Sequence, residues 1–134
     1  MKRLFVLSFV MFSGLPIISA AHALTPAEEF FVSAAKISSV VSEFCPDISL
    51  VSSELDRLGD RNGIETDRIR AAIIAATNAS EGRPYIRVDL ISEVTQQLNR
   101  LDKELARNLE SDRSGTCKEW SDKFLAMGLV RRGK

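Results

Sequence analysis

Residues 25–45, TPAEEFFVSAAKISSVVSEFC, decide the fold class. Thr25-Pro26-Ala27-Glu28 is a capping box with proline at the first helical position. The Thr25 hydroxyl and the Glu28 carboxylate can each take a backbone N–H that a helix N-terminus leaves unpaired. From this box a stripe runs through Ala27, Phe30, Ala34, Ile37, Val41 and Phe44 in alternating steps of three and four, the period of one buried helix face. Pro46 drives the residue before it out of helical geometry, so the helix ends there with Cys45 at its last turn.

The same signals continue downstream. Asp47 reads as the N-cap of a short second helix through Ile48, Val51, Leu55 and Leu58, with Gly59 as its C′ stop. A third helix is expected over 65–78, with Ile69, Ala72, Ile73 and Ala76 inward and further apolar positions that make it the most enclosed. Residues 80–84 form a loop by composition. The fourth helix, from 85–89 to about 110, carries Val88, Ile91, Val94, Leu98, Leu101, Leu105 and Leu109 on one stripe. After a loop at 111–115, a second capping box, Thr116-Cys117-Lys118-Glu119, opens a fifth helix that places Trp120 and Phe124 on the side of Cys117. Gly128 stops it, Leu129 supplies the apolar contact of a C-cap motif, and residues 131–134 are a basic frayed tail. No stretch alternates with a period of two, so no sheet is expected. Short connections favour antiparallel neighbours. The expectation is an all-α domain over 24–134, a bundle of about five helices.

Upstream, residues 1–23 read as a cleaved signal peptide. Lys2 and Arg3 are its basic start, Leu4 to Phe12 its apolar core, and Ala21-His22-Ala23 its A-x-A cleavage site. The apolar run is too short for a bilayer core, which takes roughly 20 residues, so no stable membrane anchor is expected. The expected location is periplasmic or secreted. Cleavage would remove Lys2, Arg3 and His22, the one histidine. Of 18 basic and 18 acidic residues, 16 and 18 would remain in a mature chain of 111. Without imidazole, a Ser-His-Asp or Cys-His nucleophile and a histidine metal ligand are excluded.

Cys45 and Cys117 are the two thiols, 72 positions apart and without a C-x-x-C spacing. An even count in an oxidising compartment argues for a structural Cys45–Cys117 disulfide rather than a redox pair. The remaining motifs are weak. Placing Gly63 at position 6 of a calcium loop puts Leu58 and Ile69 where oxygen ligands are needed, so that pattern fails. Leu55 to Ile74 has a helix-turn-helix rhythm with Arg68 and Arg70 as phosphate contacts. The interleaved acids Asp56, Asp60, Glu65 and Asp67 and the absence of net positive charge argue against nucleic acid as a partner. The stripe of the fourth helix leaves a homodimer open. No cofactor and no metal are expected.

Four residues stand out for interaction. Arg83 and Tyr85 share a loop beside Pro84 and belong to residue types enriched at binding hot spots, and Arg131 and Arg132 lie in the basic tail. The resulting expectation is a non-catalytic helical protein that binds another envelope or secreted protein, as an inhibitor, immunity factor or accessory subunit. In size, address and cysteine pair the chain resembles the small single-disulfide helical chaperones of the acid-stressed periplasm. It resembles equally the disulfide-bearing helical immunity proteins of bacterial secretion systems. The first resemblance implies an alternative, an acid-stress chaperone; the plentiful carboxylates leave a small carboxylate-dependent hydrolase as a third.

Overall fold

The structure, a computed structural model, describes residues 23–133, so the expected signal peptide lies, apart from Ala23, outside the described residues. The chain is mostly helical: α1 (Pro26–Phe44), α2 (Ser52–Arg61), α3 (Thr66–Ser80), α4 (Ser92–Ser111) and α5 (Arg113–Ala126), with a 3-10 turn at Arg87–Asp89. Two short strands, β1 (Ile48–Leu50) and β2 (Val130–Arg132), pair antiparallel with Ile48 opposite Arg132 and Leu50 opposite Val130. The five expected helices are present, but the all-α expectation is corrected by this ribbon. It converts both the expected start of helix two and the supposedly frayed basic tail into sheet.

Several helix ends follow the local code. In α1 the Thr25 hydroxyl accepts from the Glu28 N–H at 3.2 Å, and the Glu28 carboxylate accepts from the Thr25 N–H at 2.9 Å. Cys45, preceding Pro46, turns to extended geometry and ends the helix. Three helices close with the same C-terminal motif around a glycine of positive φ, Gly63, Gly82 and Gly128. In each, the residue after the glycine donates back to the third carbonyl from the helix end: Ile64 to Gly59, Arg83 to Asn78 and Leu129 to Phe124. Gly59 is therefore not a stop. It lies buried inside α2, where a Cβ would come within 2.5 Å of the Thr66 hydroxyl and 3.1 Å of the Phe31 ring.

Two capping expectations are corrected. Asp47 takes a left-handed conformation, φ 55°, and completes the turn from Pro46 into β1 instead of capping a helix. Its carbonyl accepts from the Gly133 N–H at 2.8 Å, which closes the ribbon. The Thr116 box is unused: α5 begins four residues earlier, capped by the Asp112 carboxylate, which accepts from the Gly115 N–H at 2.9 Å. Asp112 alone separates α4 from α5, so the expected loop over 111–115 is absent. Aspartate outranks threonine as a cap, and the freed Thr116 hydroxyl donates instead to the Asn108 carbonyl at 3.1 Å.

α1 is the central element, packed against all four other helices and β1. It buries Phe31, Val32, Ala34, Ile37, Ser38 and Val41, while Phe30 and Phe44, expected inside, stay half in solvent. A helix surrounded on several sides buries more than one stripe, which is why α1 and not α3 is the most enclosed. The buried Ser38 hydroxyl is satisfied by donating to the Ala34 carbonyl at 2.6 Å. Gln97, outside the apolar stripe of α4, is also buried; its amide nitrogen donates to the Glu29 carbonyl and the Ser33 hydroxyl, each at 2.7 Å.

These cross-links set direction. Gln97 meets Glu29 and Asp102 meets Lys36, so α4 runs parallel to α1. Arg68 meets Glu28 while Ala76 and Thr77 lie beside Lys36, so α3 runs the same way. The antiparallel expectation fails for consecutive α3 and α4, because residues 81–91 return the chain along the bundle before α4 starts. Val88, expected in the α4 stripe, belongs to this return segment.

Candidate functional site

Cys45 and Cys117 form the expected disulfide, with a Cα–Cα distance of 5.6 Å. It ties the C-terminal end of α1 to the first turns of α5 and forms part of the base of an open groove of about 620 Å³. Buried Cys45, Cys117 and Ile48 make the apolar floor, and Pro46 adds to one wall. Exposed Arg113, Lys118, Arg132 and Asp122 line the groove as its charged groups. Lys118 donates to Asp122 at 2.8 Å, one helical turn away. That hydrogen bond, then the Lys118 charge and more weakly the Arg132 charge, holds the Asp122 carboxyl below its ordinary value against a small opposing effect of burial.

The return segment makes a second surface of opposite character. Tyr85, Ile86 and Val88 are 40%, 64% and 86% exposed. Arg83 pairs with Glu81 beside them, and Arg87 stands exposed between the two aliphatic side chains. Another concavity, about 280 Å³ between α1, α4 and α5, is walled by Phe30, Ile37, Leu101, Trp120 and Met127. Trp120 stacks on Phe124 with ring centroids 5.8 Å apart, and the Lys123 ammonium sits 4.9 Å above its ring.

The four residues singled out for interaction divide between two places. Arg83 and Tyr85 lie on the return segment, whereas Arg131 and Arg132 lie on β2. Adjacent strand positions point to opposite faces, and the two arginines differ accordingly: the Arg131 guanidinium donates to the Ser49 hydroxyl at 3.3 Å, while Arg132 enters the groove. Sequence reasoning missed Val88, which it assigned to the stripe of the fourth helix, and did not single out Ile86. It also missed Arg113, Lys118 and Asp122. The i, i+4 spacing of Lys118 and Asp122 was a legible signal of a pair, but nothing local places them beside β2.

Among the described residues, no group of three or more His, Cys, Asp or Glu side chains is placed to hold a metal ion. None of the described helices is long and apolar enough to cross a membrane. No family model, curated protein or solved structure matches the chain.

Proposed function

We propose that this chain is a non-catalytic protein-binding module of the cell envelope or secreted fraction, an inhibitor, immunity factor or accessory subunit, that engages its partner through residues 81–91. The observation that carries this reading is the run of Tyr85, Ile86 and Val88 held out in solvent on one short segment. Fully burying an aliphatic side chain of this size is worth about 1.5–3 kcal/mol. Clustered exposed apolar groups are characteristic of interaction sites. Arg83 and Arg87 alternate with these groups and supply the polar contacts that fix orientation. The disulfide supports an oxidising compartment.

The test is a photo-crosslinking amino acid at position 86, with position 57 on α2 as an exposed control, in cells that export the chain. A defined adduct is expected from position 86 and not from position 57. Adding Val88→Asp should reduce it at least tenfold with the melting temperature unchanged. Equal adducts from both positions, or an adduct indifferent to Val88→Asp, would overturn the proposal.

A further inference from the structure

We infer that the groove over the Cys45–Cys117 disulfide is a separate binding site for an extended acidic segment of a protein, one that carries an apolar side chain between carboxylates. The chemistry of the lining selects this occupant. Across a chain with equal numbers of acids and bases, the groove gathers three cations around one carboxylate, and Lys118 already holds that carboxylate. Arg113 and Arg132 have no carboxylate within ion-pair distance among the described residues, which leaves two guanidinium forks to donate N–H pairs to the two oxygens of an incoming carboxylate. Beneath them an open space of about 620 Å³ is closed by the nearly buried Cys45, Ile48 and Cys117, and exposed Pro46 adds accessible apolar surface to its lining. That space falls in the range of ligand clefts, about 300–1,000 Å³.

Charge and floor together exclude simpler occupants. A nucleic-acid strand would satisfy the guanidinium groups, but its regular phosphate row offers nothing that prefers the apolar lining beside them. A flat anionic membrane would meet the rim and leave the floor unfilled. An acidic peptide with one leucine-sized side chain between its carboxylates fills both parts. The groove is independent of the return segment, so it stands or falls on its own residues.

Fluorescence anisotropy at low ionic strength tests it, using the full chain with its disulfide closed and a labelled pentapeptide alternating Glu and Leu. The Glu/Leu peptide is expected to bind at least tenfold tighter than peptides with Gln for Glu or Ser for Leu. Arg113→Gln and Arg132→Gln, both at exposed positions, should each weaken it about tenfold without moving the melting temperature, and Ile86→Asp should leave it unchanged. Absence of binding at millimolar peptide, or equal binding of the Gln peptide, would overturn the site. So would tighter binding of oligothymidylate or of vesicles containing phosphatidylglycerol through the same two arginines.

Discussion

The disulfide end and the return segment are built in opposite ways from similar residues. At the disulfide end, segments far apart in sequence are tied repeatedly within a few residues: by the Cys45–Cys117 bond, by the β1–β2 ribbon and by flanking hydrogen bonds such as those from Gly133 to Asp47 and from Val51 to Leu129. Ile48, Leu129 and Val130 are buried there almost completely, and charged side chains beside Pro46 remain at the surface. The return segment is anchored by the glycine-centred end of α3 and the start of α4, and between these it exposes Tyr85, Ile86 and Val88. Apolar residues in the first region contribute stability; in the second they contribute surface.

The sharpest way to break this contrast is to open the disulfide. Replacing Cys45 and Cys117 together by Ala removes a link that closes a loop of about 70 residues, for which chain entropy gives roughly 4 kcal/mol and experience with small domains about 2–5 kcal/mol. Urea unfolding should show a loss in that range; a change below about 1 kcal/mol would mean that the ribbon and core hold this end unaided.

Truncating one apolar side chain in each region separates the two roles. Leu129→Ala, at a position 1% exposed, should cost about 2–5 kcal/mol, whereas Val88→Ala, at 86% exposed, should stay within about 0.5 kcal/mol. Similar losses at both sites in thermal or urea melts would erase the distinction between a stabilising core position and a free surface one.

A smaller effect is expected where the return segment begins. Gly82 has φ 68°, and no atom lies within 4 Å of the place a Cβ would occupy, so Gly82→Ala should cost only the left-handed backbone penalty, about 1–2 kcal/mol in a urea melt. Gly82→Asn should recover part of that loss.

The smallest effect concerns the groove charges. The carboxyl of Asp122 should titrate below the ordinary aspartate value in carboxyl-carbon NMR, and Lys118→Met should bring it back toward that value. Because the folded-state pKa is the lower one, this pair's contribution is present above the unfolded value and disappears as pH falls through the folded one. Titration at the ordinary value in the unaltered chain would show that Lys118 does not hold the carboxylate in solution.

Much of the architecture was legible because its causes are local. The Thr25–Glu28 box, the Pro46 stop and the Gly128–Leu129 cap each act within about one helical turn, and each is found where the residues place it. Errors appear where a local preference meets a distant partner. Asp47 has the chemistry of an N-cap, but the strand from Val130 to Arg132, more than 80 positions away, draws Ile48 out of a helix and leaves Asp47 to make the turn. Phe30 and Phe31 are neighbours of equal hydrophobicity, and only the packing of elements around α1 decides that Phe31 is buried.

The sequence by itself determined the helices, most of their ends and the identity of the cysteine pair, because backbone capping, glycine geometry and residue chemistry are properties of adjacent positions. Tertiary structure alone decided the ribbon, the parallel course of α1, α3 and α4, and the meeting of Arg113 and Arg132 over one apolar floor. Those features depend on which distant surfaces bury each other, and that choice is made by the whole core at once.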